Sequence, residues 1–338
     1  MGSFLRGIGR GVPVLLFSGW LAGAVRATSP SPAPPCVAVL ASFPEELAAV
    51  EKMLVPEAVK LETTFVNGVR FHSADLGGQR FVFLLTGMSL VNAAASTQLV
   101  LDRCNVQAVF FAGIAGGVNP ALGPGDVVVP ARWRYHSEAA YFNETAPGRF
   151  RPTDWYKQRY PNFGMIHPDN VHVIREGMEK YEPVESFPAD ERLLALARRV
   201  TDTLPALTAG GRPCRLVHGG TGVSGTVFCD NAEYRKWVST TFGADCLDME
   251  STAVAQVCWA NRVPCLIVRG LSDLAGGQTG KNQEEEYLHA AADHAALVLV
   301  TILRGYTPLP GAEAGAAPAE AAAAHAEQGG VQTPSHHD

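Results

Sequence analysis

Short apolar runs alternate along this chain with stretches whose apolar residues recur at helical spacing. CVAVLAS (36–42), RFHSADL (70–76), QRFVFLLTG (79–87), VQAVFFAG (106–113) and DVVVP (126–130) read as strands. Helical periodicity covers 44–54, 91–103, 190–203, 231–241 and 284–304, and CRLVHGGTGVSG (214–225) reads as one further strand. Asp248 is placed to cap a helix whose residues Met249, Ala253, Val254, Val257 and Cys258 share an apolar face, and 263–268 has the pattern of a buried strand. This alternation predicts an α/β fold, a largely parallel central sheet with helices on both faces, in one sizeable domain over 36–306. There is no internal repeat. Between 132 and 190 the signal degrades into an aromatic, proline-interrupted stretch, long for a plain loop and expected to be a functional insertion or lid.

The two ends lack this pattern. Residues 1–27 read as a signal peptide. Arg6 and Arg10 give a positive start, GVPVLLFSGWLAGAV is an apolar run too short for a comfortable membrane span, and Val25-Arg26-Ala27 or Ala22-Gly23-Ala24 offers a cleavage site. Export into a periplasmic, extracellular or secretory compartment is the expectation, with no stable membrane span after processing; an uncleaved membrane anchor is the alternative. Residues 28–35 form a Pro/Ser linker, and 307–338 an Ala/Gly/Glu-rich tail ending in His336 and His337, which have no companion ligands at structural-metal spacing. The seven cysteines lack C-x-x-C spacing, and Cys104, Cys246, Cys258 and Cys265 sit in apolar runs. Neither a metal site nor a disulfide framework is predicted, although export leaves room for one pair involving Cys36 or Cys214. A net charge of −6 without a Lys/Arg cluster argues against a nucleic-acid partner.

Candidate chemistry gathers in CLDMESTAVAQVCWANRVPCLIVRGLSDLAGG (246–277). Glu250 opens a helix while Arg269 and Asp273 follow the next strand, bringing two acids and an arginine to one end of the sheet, where open α/β sheets bind ligands. Such a grouping suits a polyhydroxylated ligand. Three other segments stand out. ASFPEELAAV (41–50) puts Glu45 and Glu46 in a first helical turn, a placement the helix macrodipole favours by itself. FAGIAGGVNPALGPGDVVVP (111–130) places Gly113, Gly116 and Gly117 after a buried strand, which alone is only a tight turn. GVSGTVFCDNAEYRKWV (222–238) sets Phe228 between Val227 and Cys229, where core packing is the commoner fate.

In this order, across most of 36–305, these segments resemble the nucleoside phosphorylase and nucleosidase superfamily, closest to its methylthioadenosine/S-adenosylhomocysteine nucleosidase branch and the related plant bark-storage-protein-like branch. The resemblance implies a three-layer α/β phosphorylase/hydrolase-like fold with a mostly parallel or mixed sheet. It also implies roles. Glu250 would grip the ribose hydroxyls with Met249 packed under the sugar, and Asp273 would protonate the purine leaving group. Glu46 would activate water, Arg269 would anchor the acids, and Phe228 would stack on the purine whose edge Cys229 reads through its backbone. Gly113, Ile114 and Ala115 would lie along the ribose and the nucleophile pocket. Arg134-Tyr135-His136 is similar to an R-Y-H of bacterial nucleosidases and makes His136 a secondary candidate. A homodimer or higher homo-oligomer is implied, and no metal or organic cofactor.

Two departures bear on the reaction. Phe43-Pro44-Glu45-Glu46 stands where phosphorylases of the superfamily place an arginine in a G-D-P-x-R-like turn, and two carboxylates repel a phosphate dianion. Ile114 replaces the small hydroxyl residue of bacterial nucleosidases and removes a polar contact near the water. The expectation is hydrolysis of the N-glycosidic bond of adenosine-type nucleosides, 5′-methylthio and 5′-homocysteinyl forms included, since an acid at 273 favours 6-aminopurines in such families. Phosphorolysis is second, with Arg132, Arg134 or Arg149 as its cation source; a non-catalytic nucleoside-binding or storage protein is third.

Overall fold

Successive residues of the run after Pro35 face two different apolar layers, and both layers are closed. The computed structural model describes residues 34–174 and 177–308; the signal segment and most of the expected linker and tail lie outside the described residues. In chain order the main elements begin with β1 (Pro35–Ala41), α1 (Pro44–Leu54), β2 (Glu62–Val66), β3 (Val69–Leu76), β4 (Gln79–Leu85) and α2 (Leu90–Arg103). Next come β5 (Asn105–Gly117), β6 (Val127–Val129), β7 (Arg132–Tyr135), β8 (Phe187–Pro188), α3 (Glu191–Thr201), β9 (Leu216–His218) and β10 (Thr221–Ser224). The chain finishes with α4 (Ala232–Phe242), β11 (Ala244–Asp248), α5 (Ser251–Ala260), β12 (Cys265–Asp273) and α6 (Glu284–Gly305).

Val37, Val39 and Ala41 of β1 pack with Phe81, Phe83, Phe110 and α6 in one layer, while Cys36, Ala38 and Leu40 pack with Val82, Leu84, Phe111 and the α5 residues Val254 and Cys258 in the other. A strand covered on both faces needs a continuous apolar run, which is why 36–41, 81–85 and 106–112 do not alternate with polar residues. Each fully buried Val, Leu or Phe contributes roughly 1.5–3 kcal/mol against an exposed reference. The result is the expected three-layer α/β arrangement.

The twelve strands form a mixed sheet. Along one path they run β8-β7-β10-β11-β5-β1-β4-β3-β2, with β12 between β5 and β6 and with β9 beside β6. β1 is parallel to both β4 and β5, β12 is parallel to β5, and β11 is antiparallel to the end of β5. β5 organises the site because its 13 residues outlast β1. Its last turn of pairing joins Gly113 to Arg269 and Gly116 to Asp273 on β12, then Gly116 and Gly117 to Leu247 and Cys246 on β11.

One expectation needs correction. The run 214–225 is two strands, because Gly219 and Gly220 adopt φ of 101° and 73° and turn the chain from β9 beside β6 to β10 between β7 and β11. A Cβ at Gly220 would collide with Asp245 Oδ2, so no other residue fits. The stretch 132–190 has secondary structure of its own. Arg132–Tyr135 and Phe187–Pro188 join the main sheet, and three short ribbons pair Ala139–Tyr141 with Ile166–Pro168, Glu144–Ala146 with Arg149–Phe150, and Val171–Val173 with Glu182–Val184. Strands of two to four residues are too short to show a period. Helix ends follow the capping signals: Asp190 accepts from the amides of Arg192 and Leu193, and Asn231 from that of Tyr234.

Candidate active site

Four segments end at the C-terminal edge of β5, and each delivers a carboxylate there. Glu46 lies in the first turn of α1, pinned inward by backbone donors. Its Oε2 accepts from the amides of Ser42 at 2.7 Å and Phe43 at 3.3 Å, and its Oε1 from that of Ile114 at 2.7 Å. Burial pushes this carboxyl up to about 7, against the lowering pull of Arg269 and of the Ile114 and Ser42 amides.

Asp248, at the end of β11, is the most densely bonded of the acids. It accepts from Ser224 Oγ at 2.5 Å, from the amides of Glu250 and Ser251 at 3.2 and 3.1 Å, from Ser251 Oγ, and from Arg269 Nε at 2.7 Å. It therefore caps α5 as its sequence position implies, while Glu250, the residue just before α5, points elsewhere. Glu250 Oε1 accepts from the Ser89 amide at 2.6 Å and Oε2 from the Met249 amide at 3.3 Å. Ser89 presents that amide from a left-handed backbone, φ 77°, which a non-glycine residue adopts at a cost. Burial, then the charge of Asp248, raises the Glu250 carboxyl above its ordinary value.

Arg269 is fully buried among these acids, its guanidinium 4.1 Å from the centre of the Phe111 ring. Its Nη1 stands 3.9 Å from Glu46 Oε1 and its Nη2 3.9 Å from Glu250 Oε2. Those are charge contacts too long for hydrogen bonds, and neither nitrogen has another hydrogen-bond partner among the described residues. The glycine at 113 makes this packing possible, since a Cβ there would collide with Arg269 Nη1 and Glu46 Oε1. Asp273 closes the group: Oδ1 accepts from the Ala275 amide at 2.6 Å and Oδ2 from Ser272 Oγ at 2.8 Å, and burial raises its carboxyl.

These groups border one cleft that opens to solvent. Of the residues singled out from sequence, Glu46, Ile114, Ala115, Phe228, Cys229, Met249, Glu250 and Asp273 line it, with Gly113 and Arg269 directly behind the wall. Phe228 is 58% exposed, which is not how a core ring sits; Cys229 beside it is buried. Sequence reasoning missed Phe43, Met88 and Glu284 on the wall and Ser89 behind it. Only Phe43, inside the 41–50 segment, was within reach of a local signal.

His136 does not reach the cleft. It is fully buried, its Nδ1 lies 2.8 Å from the Tyr234 hydroxyl, and Gly225 packs against its ring edge. Burial lowers its pKa to about 4, so it is neutral and belongs to packing beneath β10. No described residue of 132–190 lines the cleft either; Ser137, Tyr141, Phe163 and Ile166 instead border a neighbouring hollow across the Val227–Cys229 wall. Arg134, one of the candidate phosphate ligands, bonds Glu185 at 2.7 Å between the rings of Tyr160 and Phe242, and neither Arg132 nor Arg149 reaches the wall. Among the described residues the lining holds five carboxylates, Glu46, Asp248, Glu250, Asp273 and Glu284, and no Lys, Arg or His. No group of three or more His, Cys, Asp or Glu is arranged to hold a metal ion among them, and all seven cysteines are free thiols.

Comparisons with known proteins bear on the family and the fold. Residues 37–306 match the family model described as the phosphorylase superfamily. The chain is 27% identical over 274 residues to the 5′-methylthioadenosine/S-adenosylhomocysteine nucleosidase of Psychromonas ingrahamii, covering 79% of this chain and 97% of that protein. It is 29% identical over 271 residues to the Mycobacterium tuberculosis protein of the same name, covering 78% and 95%. A Helicobacter pylori nucleosidase variant, solved with 5′-methylthioadenosine in its active site, shares the fold with a TM-score of 0.60 at 20% identity, over 80% of this chain and 99% of that one. With its fold and the match over nearly all of the described domain in agreement, the chain belongs to the phosphorylase superfamily.

Proposed function

We propose that this protein hydrolyses the N-glycosidic bond of adenosine-type nucleosides to free base and ribose moiety. The observation that carries the reading is a cleft lining of five carboxylates with no Lys, Arg or His among the described residues, its one cation, Arg269, lying behind the wall and already shared by Glu46, Asp248 and Glu250. Breaking an N-glycosidic bond leaves positive charge on the sugar and negative charge on the base. Anions toward the sugar and an acid toward the base stabilise that separation, whereas a phosphate dianion entering such a wall meets acids that outnumber the one arginine behind them. The names of the two relatives given above, both nucleosidases, support the same class.

In this reading Asp273, whose carboxyl burial raises, donates its proton to purine N7, and the base stacks on the exposed ring of Phe228. Glu250 accepts from the ribose 2′ and 3′ hydroxyls above Met249. Glu46 takes the proton of water as it attacks C1′; its tie to the Ile114 amide holds it against β5, and Arg269 behind it compensates the charge left on the ionised acid. Ile114 faces the cleft with an apolar side chain, giving that water no hydroxyl partner, and this favours nucleoside binding without turnover as the second reading. Incubation with adenosine and methylthioadenosine, with and without inorganic phosphate, tests the reading. Base release without phosphate supports hydrolysis, strict phosphate dependence supports phosphorolysis, and binding without release supports the second reading. Export and homo-oligomerisation belong to the same proposal. The exposed apolar side chains Met88, Val91 and Val227 around the cleft support a self-association surface, which light scattering of the purified protein tests.

A further inference from the structure

Four of the five carboxylates on the cleft wall are held by the protein itself: Glu46 by three amides, Asp248 by hydroxyls, amides and Arg269, Glu250 by two amides, and Asp273 by an amide and a hydroxyl. Glu284 differs. Its backbone amide donates to Asn282 Oδ1 at 2.8 Å, yet among the described residues its carboxylate has neither a hydrogen bond nor an ion pair. It stands partly buried at the start of α6, and desolvation together with the charges of Asp273 and Glu285 raises its pKa. One turn further along the helix, Leu288 packs with Phe43 against Ile114, Ala291 and Ala292. Glu284 is thus a polar group without a partner at the edge of the apolar corner that Phe43 and Ile114 form.

We infer that Glu284 selects among nucleosides by their 5′ end, favouring those that carry a hydrogen-bond donor there, adenosine with its 5′-hydroxyl being the simplest, over those ending in an apolar thioether. The inference rests on the adenosine-type nucleosidase reading and names the substrate class within it. With the base at Asp273 and Phe228, the sugar hydroxyls at Glu250 and the attacking water at Glu46, the substituent on C4′ is left to the corner between Phe43 and Glu284. A hydroxyl or ammonium there gives the carboxylate a partner. A methylthio group strips its water and returns nothing, and a site built to accept from a donor rejects the analogue that lacks one more strongly than it rejects a change of size.

The test is the ratio of kcat/KM for adenosine over methylthioadenosine in the full chain, in Glu284→Gln and in Glu284→Leu, with competition binding giving the same ratio where turnover is slow. The wild type is expected to prefer adenosine by about tenfold or more. Glu284→Gln, which still accepts a hydrogen bond, keeps most of that preference, and Glu284→Leu shifts the ratio toward methylthioadenosine by about tenfold. A wild type that prefers methylthioadenosine overturns the inference even if the leucine variant does not fold. So does a ratio that Glu284→Leu leaves unmoved, or a change that appears between adenosine and inosine instead of between 5′ analogues. Failure of the wild type to bind or cleave either nucleoside overturns the nucleosidase reading itself, and the inference with it.

Discussion

Two buried arginines make opposite use of the same side chain. Arg134 and Arg269 both leave solvent and both lie over aromatic rings. Arg134 reaches outward to one carboxylate, Glu185, whose side chain is 62% exposed, so its charge is settled at the surface. Arg269 turns inward to Asp248, Glu46 and Glu250, none with a side chain more than 8% exposed. Removing a charge from water is costly unless partners replace the hydration, and around Arg269 three partners share one cation. The imbalance leaves negative charge in excess at the cleft, and that charge adds to burial, the larger cause, in raising the carboxyls of Glu46 and Glu250. A buried arginine therefore signals function through the surplus of acids around it.

Removing each arginine sharpens that contrast most. Arg269→Met leaves Asp248, Glu46 and Glu250 without their cation and is expected to cost about 3–5 kcal/mol in urea unfolding at neutral pH. A loss below about 1 kcal/mol would mean the acids are protonated throughout and the contrast is false. Next comes Asp273→Asn, expected to lower kcat by about 10² to 10⁴ while ligand affinity changes far less. Equal losses in turnover and affinity would reduce Asp273 to positioning.

The pH dependence follows from Glu46. Its folded pKa, about 7, lies above its ordinary value of 4.5, so its contribution to stability is complete below that value and is lost as pH rises through 7. At roughly 1.4 kcal/mol per pH unit, the wild type should lose about 3 kcal/mol between pH 4.5 and 8 that Glu46→Gln retains, read from denaturant midpoints at each pH. The ionised form is the base, so kcat/KM should rise with pH to a midpoint near 7, a limb absent from the glutamine variant. A midpoint near the ordinary glutamate value would contradict both halves. Smallest of all, Arg134→Met keeps the packing between Tyr160 and Phe242 and leaves Glu185 in water, so a change of no more than about 1 kcal/mol and unaltered nucleoside affinity are expected.

The segment 246–277 was legible because its chemistry is local. Asp248 caps a helix that starts three residues later, and Arg269 and Asp273 project from one strand, so spacing alone placed them together. The segment 132–190 was not, because its strands of two to four residues are held by cross-strand pairs and aromatic contacts such as Phe142 with His167, and no period survives in so few residues.

Periodicity in the chain determined which stretches are buried on both faces, hence the α/β layering, and the order of the acidic motifs determined which end of the sheet holds them. Only the tertiary structure decided what each acid leans on. The Ser89 amide meets Glu250 across 161 positions of sequence, Ile114 meets Glu46 across 68, and Glu284 arrives at the wall with no partner for its carboxylate among the described residues. Burial patterns are written in neighbouring residues and can be read there. Hydrogen-bond partners are set by strand pairing between distant segments, which the order of residues along one segment does not encode.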